Sequence, residues 1–255
     1  LLFMVEIFIL SLVQGITEFL PISSSSHLLL FSNYGSFNNQ NLSVDVSLHI
    51  GSFIAVISYF YKDIIDFVKN KELFIKILLS SFPVMVVGFF LVQTNLIEEI
   101  RSIKIIAWTT LVFGILLYLS DRFKLEKSIK KDFNYKTAIL IGMFQVLSLI
   151  PGVSRSGIAI TAARLLNFRR FDSAKISFLL SIPTLGAVTI FGLSNLFNSQ
   201  NLNFSQINVM SIILSFIFSF LTIKYFLIYI KKFSLKIFVV YRMLLGLILL
   251  AIIYL

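Results

Sequence analysis

The sequence predicts an all-α polytopic membrane protein built from two inverted-topology repeats, each a re-entrant helical hairpin followed by three transmembrane helices. The first observation is composition: 58% of the 255 residues are hydrophobic and only 13% are charged, against about 45–50% and about 25% in ordinary soluble domains. The mean hydropathy is +0.94. A soluble globule of this length cannot bury so much apolar surface, which excludes cytosolic enzymes, nucleic-acid-binding modules and disordered linkers.

The second observation is a series of apolar segments that are long enough, or nearly so, to cross a bilayer as helices. Six of them lie at about 48–61, 74–94, 103–120, 176–194, 208–230 and 236–254. Two further apolar stretches, 1–20 and 137–150, each run into a proline, Pro21 or Pro151. We expect all eight to be helical, because lipid offers no hydrogen-bond partner to an open backbone group.

The third observation is the placement of the 22 Lys and Arg residues. Eighteen of them fall in four connectors, with four in 62–76, six in 121–136, four in 164–175 and four in 224–236. The connectors 31–47 and 195–207 contain none. The positive-inside rule therefore places the basic connectors in the cytoplasm and the others outside. On this interpretation the net charge of +10 reflects membrane topology, and no nucleic-acid partner is expected.

This topology requires two re-entrant hairpins. Segment 137–166 begins and ends at basic connectors, so it must enter the membrane and return to the same side. The turning point is Pro151-Gly152, because proline cannot continue a helix and glycine permits a tight turn. Segment 1–31 has the same form, with its break at Pro21, but it starts and ends on the outer side.

Each hairpin is followed by three spans, which divides the single membrane domain, residues 1–255, into halves of opposite orientation at about 1–120 and 137–255. The local sequence supports the repeat weakly, because Gln14 precedes Pro21 and Ser23 much as Gln145 precedes Pro151 and Ser154. In inverted repeats with interrupted helices, the functional site lies near the midplane, where the breaks meet. Two ordinary helical hairpins with a chance similarity are the alternative.

Polar groups that do not belong in lipid surround the first break. Glu18 follows Gln14 by four residues, on the same helical face, and a glutamate within a span usually faces a cavity or a partner. After the proline, hydroxyls and open backbone N–H groups favour an anion; the serines are Ser23, Ser24, Ser25 and Ser26. His27 follows and can hold or move a proton near neutral pH. The alternative is that the serines only cap the helix and His27 is a core histidine.

The second break carries an arginine between apolar flanks. Arg155 needs an anionic partner there, and its planar fork suits phosphate. Small and hydroxyl-bearing residues surround it, namely Gly152, Ser154, Ser156 and Thr161. The alternative is an ion pair between Arg155 and Glu18 that only locks the two hairpins together, which would be a buried bridge of doubtful net value.

One arginine, many hydroxyls and two half-helix N-termini together favour an anion, most simply a phosphate. Glu18 and His27 add acid–base or metal-binding capacity, which favours catalysis. A site of this kind in a membrane suits a phosphorylated lipid, whose head reaches the polar groups while its tail stays in the bilayer. The alternative is a transporter or flippase of a polyprenyl phosphate or a small anion, since inverted repeats are common in transporters.

At these residues the chain resembles the undecaprenyl-diphosphate phosphatase family, the bacitracin-resistance proteins. The resemblance rests on two motifs, residues 14–27 and residues 151–157 with Thr161. It continues through essentially the whole chain, at 48–51, 177–183 and Tyr241-Arg242.

The resemblance implies hydrolysis of the terminal phosphate of undecaprenyl diphosphate, a diphosphate anhydride. This reaction recycles the lipid carrier of cell-wall (peptidoglycan) synthesis and confers bacitracin resistance. A divalent cation, Mg²⁺ or Ca²⁺, is implied as cofactor, and the site is expected to open to the outer face of the bacterial plasma (inner) membrane. Whether the chain forms a homodimer, and whether it also flips the product lipid, are left open.

The resemblance also implies roles for particular residues. Glu18 would bind the metal ion or activate water, Arg155 would clamp the diphosphate, and Ser24 or His27 would be the nucleophile or the proton carrier. Gln14 departs from the two-glutamate form of the motif: an amide is no base and is a poorer metal ligand, so its place in a metal site is in doubt. The expected phosphate-binding residues are Ser23, Ser25, Ser26, Gly152, Ser154, Ser156 and Thr161.

Overall fold

The structure is a computed structural model and describes residues 2–34, 41–69, 71–94, 96, 100–122, 126–198 and 205–254. Within these ranges there is no β-strand, and one isolated parallel bridge joins Lys127 and Phe168. The helices are α1 (Leu2–Thr17), α2 (Ser24–Tyr34), α3 (Leu42–Tyr59), α4 (Tyr61–Lys69), α5 (Lys71–Gln93), α6 (Ile103–Asp121), α7 (Ile129–Asp132), α8 (Tyr135–Val146), α9 (Arg155–Leu165), α10 (Arg170–Asn198), α11 (Gln206–Lys232) and α12 (Lys236–Tyr254).

Six of these helices are long and apolar enough to cross a membrane: α3, α5, α6, α10, α11 and α12. They confirm the six predicted spans and the all-α class. The first span begins six residues earlier than predicted, because the Asn41 side chain accepts a hydrogen bond from the Val44 N–H at 3.0 Å and caps α3. A hydropathy window misses such a start, since capping residues are polar.

The second predicted hairpin consists of α8, a short 3₁₀ turn (Leu147–Leu149), the break and α9. Its two ends are tied together, because the Lys127 N–H donates to the Asn167 carbonyl at 3.1 Å and the Arg169 N–H donates to the Lys127 carbonyl at 3.0 Å. The chain therefore returns to the end of the bundle from which it entered, as the basic connectors predicted.

The helices pack in pairs that match the predicted halves. Helix α1 of the first hairpin contacts α11, a span of the second half, and α8 of the second hairpin contacts α5, the corresponding span of the first half. Helices α3 and α10 pack against each other, as do α6 and α12. The inversion of the halves across a membrane stays a prediction. Parts of the two connectors expected outside, 35–40 and 199–204, lie outside the described residues.

Small polar residues let the central helices approach closely. The Ser52 hydroxyl of α3 lies 3.2 Å from that of Ser215 and 3.0 Å from that of Ser219, both on α11. A side chain at Gly51 would collide with the Ile212 carbonyl. Such contacts are typical of helices packed in lipid, where small residues bring backbones together and hydroxyls bond across the interface. This core places the two hairpins side by side.

Candidate active site

Both helix breaks use a serine in the same unusual backbone conformation. Ser23 has φ 76° and Ser154 has φ 71°, and each directly precedes the helix that follows its break, α2 or α9. A non-glycine residue in this left-handed region costs about 1–3 kcal/mol and is concentrated at functional sites. The Ser154 hydroxyl caps α9 by accepting from the Gly157 N–H at 3.1 Å. Both breaks therefore have a serine with positive φ directly before the next helix.

Gly152 allows the second break to pack against α6. Its φ is +92°, and a side chain there would collide with the Thr109 hydroxyl and lie 2.8 Å from the Ile106 carbonyl. The Thr109 hydroxyl donates to the Pro151 carbonyl. The structure thus requires glycine at this turn for packing, and its expected part in phosphate binding stays a prediction.

The centre of the site is an ion pair between the two breaks. Arg155 Nη2 lies 2.8 Å from Glu18 Oε1, and the two side chains are only 15% and 7% exposed. The other carboxylate oxygen accepts from Gln14 Nε2 at 3.1 Å and from the Ser24 hydroxyl at 2.6 Å. The predicted i, i+4 face of Gln14 and Glu18 is present. The ion pair, considered above as a structural alternative, is present as well.

Unused hydrogen-bonding capacity remains beside this pair. Arg155 Nη1 and Gln14 Oε1 are buried and have no hydrogen-bond partner among the described residues. Leaving such groups unsatisfied costs about 1–3 kcal/mol each. A small cavity of about 70 Å³ adjoins Arg155, and it is lined by Thr17, Glu18, Ser23, Ser24, Ser25, Ser148, Ser154 and Arg155. The arrangement can therefore accept a small anion between the two breaks.

Besides Gly152, three of the predicted phosphate-binding residues do not line this cavity. The Ser156 hydroxyl donates to the Leu20 carbonyl at 2.6 Å and so links the two breaks. The Thr161 hydroxyl donates to the Gly157 carbonyl at 2.8 Å within its own helix. The Ser26 hydroxyl lies 3.0 Å from that of Ser23. Contact of these three with phosphate stays a prediction.

His27 is also turned away from the cavity. Its Nδ1 lies 2.6 Å from the Ser23 carbonyl, so Nδ1 carries the proton of the neutral ring. Its Nε2 lies 2.5 Å from the Tyr241 hydroxyl, which donates to it. Both ring nitrogens are thus engaged, and His27 must break one of these bonds to act on a phosphate.

Three residues here had no predicted role, namely two cavity residues and the partner of His27. Thr17 and Ser148 line the cavity; Thr17 lies within the first motif and Ser148 lies just before the second. Tyr241 lies 214 positions from His27 in the chain, and no local pattern links them.

Two broken helical hairpins, joined by an arginine–carboxylate pair next to a serine-lined cavity, define a polytopic membrane protein with a polar cavity between its two helix breaks. The family model described as bacitracin resistance protein BacA matches residues 7–248. This chain belongs to that family.

Relatives across several bacteria are similar over almost their full lengths. A protein named undecaprenyl-diphosphatase from Pelagibacter ubique (strain HTCC1062) is 49% identical over 98% of each chain. One of the same name from Saccharophagus degradans is 42% identical over 93% of each chain. Another from Jannaschia sp. (strain CCS1) is 37% identical over 97% of this chain and 98% of its own.

Proposed function

We propose that this chain is an integral membrane phosphatase that hydrolyses undecaprenyl diphosphate to undecaprenyl phosphate and inorganic phosphate. Membership of the family and relatives named for that activity support the proposal. The observation that carries it is the Arg155–Glu18 pair, which spans both breaks beside a hydroxyl-lined cavity. The product is the lipid carrier that cell-wall synthesis uses again.

The reaction breaks the bond between the terminal phosphorus and the bridging oxygen, which leaves on undecaprenyl phosphate. Catalysis of phosphoryl transfer is mostly positioning and neutralisation of the phosphate oxygens. Arg155 has a free Nη1 for this purpose, and two half-helix N-termini add backbone N–H groups. A diphosphate in the cavity competes with Glu18 for the guanidinium and so frees the carboxylate.

Two routes are open for the attack on phosphorus. In the first, Glu18 removes a proton from water and the water oxygen attacks directly. In the second, Ser24 or His27 attacks the terminal phosphorus and undecaprenyl phosphate leaves; when Ser24 attacks, Glu18 takes its proton. Water then hydrolyses the phospho-enzyme to inorganic phosphate. Ser24 is better placed in the structure, because its hydroxyl donates to Glu18 at 2.6 Å, whereas His27 is bound to Tyr241.

A divalent cation, Mg²⁺ or Ca²⁺, fits the donor atoms of the site. Glu18 offers a carboxylate, Gln14 offers a buried amide oxygen without a partner, and the adjoining serines offer hydroxyls. Mg²⁺ in phosphoryl-transfer sites is commonly held by one or two carboxylates and by the substrate phosphates. A bound cation would neutralise charge on the diphosphate oxygens.

We propose a location in the bacterial plasma (inner) membrane with the site open to the outer face, as the family resemblance implies, and the basic connectors support the orientation of the helices. They lie at the ends of α4, α6, α9 and α11, which the positive-inside rule places in the cytoplasm. A homodimer is compatible with this proposal, and light scattering on the purified protein measures it.

The proposal is tested by phosphate release from undecaprenyl diphosphate by the purified protein, with and without a chelator. We expect one phosphate per lipid, loss of activity with chelator, and recovery with Mg²⁺ or Ca²⁺. Phosphate release that is unaffected by the chelator would show that the reaction does not need a divalent cation. Movement of the lipid head group across vesicles without phosphate release would favour the transporter or flippase.

A further inference from the structure

Arg242 is a second buried arginine near the breaks, and the mechanism above does not use it. It lies in the middle of α12 and is 1% exposed. Its guanidinium donates to four backbone carbonyls, those of Thr110 at 3.2 Å, Pro21 at 3.2 Å, Val153 at 3.0 Å and Gly152 at 2.9 Å. Pro21 belongs to the first break, and the last two belong to the second.

The chemistry of a helix break explains why an arginine suits this place. A break leaves carbonyls without their intrahelical N–H partners, and the guanidinium offers five N–H donors in a fixed planar fork. Among the described residues, no carboxylate forms an ion pair with Arg242. Its positive charge is therefore balanced by carbonyl dipoles. Because no carboxylate neutralises it, the charge also contributes to the electrostatic potential at the site of an anionic substrate.

Two glycines make room for this side chain. A side chain at Gly157, in the second motif, would lie 3.1 Å from Arg242 Nη1, and one at Gly114 of α6 would lie 3.1 Å from Arg242 Cβ. Both distances are too short for an undisturbed contact in a dense interior. The glycine of the motif thus allows the guanidinium to pass between α9 and the first break.

We propose that Arg242 is a positioning residue that fastens the two breaks to each other. It sets the distance between Glu18, which follows the helix of the first break, and Arg155, which begins the helix of the second. The proposal rests on the proposed function, since the site that Arg242 holds is the one that binds the diphosphate. Errors of about 1 Å in such positioning cost about 10²-fold in rate.

The kinetic test compares Arg242→Met with Arg164→Met. Arg164 is a matched control, because it is also a buried arginine, 2% exposed, but it binds Asp121 and the Phe168 carbonyl at the base of α9. With undecaprenyl diphosphate as substrate, we expect Arg242→Met to lower kcat about 100-fold with KM within about threefold. Arg164→Met should lower the melting temperature and leave kcat per folded molecule within about threefold. Equal kcat losses in the two variants would overturn the proposal.

If Arg242→Met does not fold, the same kinetic comparison is made with Arg242→Lys. Lysine keeps the charge but presents a single ammonium point instead of the planar fork. It therefore cannot span carbonyls from both breaks, and we expect kcat to fall at least about tenfold. Wild-type kcat in this variant would overturn the proposal.

A second measurement does not depend on turnover. The chain contains no cysteine, so spin labels can be attached at Ser25→Cys and Leu147→Cys, two exposed positions on the first and second hairpins. We expect the distance between the two labels to have one narrow distribution in the protein that keeps Arg242 and a broader distribution in the Arg242→Met variant. An unchanged distribution would overturn the fastening role even if the protein hydrolyses its substrate, and a protein that releases no phosphate could still show the fastening.

Discussion

The Glu18 carboxylate connects the two helix breaks. Arg155 binds one of its oxygens, while Gln14 and Ser24 bind the other. Removing one such electrostatic contact from a preorganised site typically costs about 10²–10³ in rate. We expect Glu18→Gln and Arg155→Gln each to lower phosphate release by about that factor while the protein stays folded. Glu126→Gln, at an exposed position in a connector, is the control and should keep wild-type activity.

The same pair allows stability to be separated from catalysis. Breaking a buried ion pair by removing one partner costs about 3–5 kcal/mol, because the other charge stays buried and unpaired. The double variant Glu18→Gln/Arg155→Gln removes both charges. We expect its melting temperature to exceed that of either single variant, with phosphate release at least as low as in those variants. A fall in melting temperature equal to the sum of the falls in the two single variants would contradict a direct pair.

Gln14 offers a prediction about the cation. Its Nε2 donates to Glu18, so Gln14→Glu would place two carboxylates side by side, and like charges at this distance repel unless a cation lies between them. We expect the half-saturating concentration of Mg²⁺ for phosphate release to fall several-fold in this variant. An unchanged Mg²⁺ dependence would show that position 14 does not contact the cation.

Residue patterns predicted the centre of the site and missed its surroundings. Glu18 and Arg155 stood out because a charge within an apolar segment needs a partner or a function. Tyr241 and Arg242 come from α12 and reach residues more than 80 positions away, so their partners depend on how the helices pack. Arg242 was visible as a charge, and only the packing shows that it holds carbonyls of both breaks.

At the scale of elements, one carboxylate joins the ends of several helices. Asp121 ends α6 and accepts from Arg170 Nε at 2.7 Å and from the Leu235 N–H at 3.0 Å, and it pairs with Arg164 at 3.3 Å. The Asp121 side chain is 7% exposed. It therefore ties α6 to α9, α10 and the connector before α12. Along α6 it lies about 18 Å from Thr109, which contacts the second break.

We expect Asp121→Asn to destabilise the bundle without disturbing the site. Two arginines would lose a buried partner, which costs about 3–5 kcal/mol, and the melting temperature should fall accordingly. Asp63→Asn breaks the partly exposed pair between Asp63 and Lys175 and is the control, because such pairs contribute about 0–1 kcal/mol. Equal shifts in melting temperature, or a selective loss of kcat in Asp121→Asn, would contradict this role.

The elements themselves were largely predictable, because apolar length and proline positions determine where helices can run. The six spans were predicted correctly. The first break begins after Thr17 and the second after Val146, close to the prolines that predicted them. Their ends were less accurate, since caps such as Asn41 are polar and escape a hydropathy window. The left-handed conformation of Ser23 and Ser154 could not be predicted, because serine has no intrinsic preference for it.

For the whole molecule, the arrangement of the halves connects the charge pattern to the site. The second hairpin begins and ends at one end of the bundle, as the bonds of Lys127 to Asn167 and Arg169 show. That end carries basic residues, so the positive-inside rule predicts that it is cytoplasmic. If the halves are inverted, the first hairpin enters from the opposite side. Its tip, with Glu18 and Ser24, then meets Arg155 from the outer side.

This topology can be tested with single cysteines, because the natural chain has none and gives no background. The labelling positions are Lys130 in α7 and Ser25 beside the cavity, which are exposed, and Ser205 before α11, which is half-buried. In intact cells, a membrane-impermeant maleimide should label Ser205→Cys and Ser25→Cys but label Lys130→Cys only after the cells are opened. Protection of Ser25→Cys by undecaprenyl diphosphate would place the lipid head at the cavity. If Ser25→Cys instead reacted only in opened cells, together with Lys130→Cys, the cavity would face the cytoplasm and the proposed opening to the outer face would be wrong.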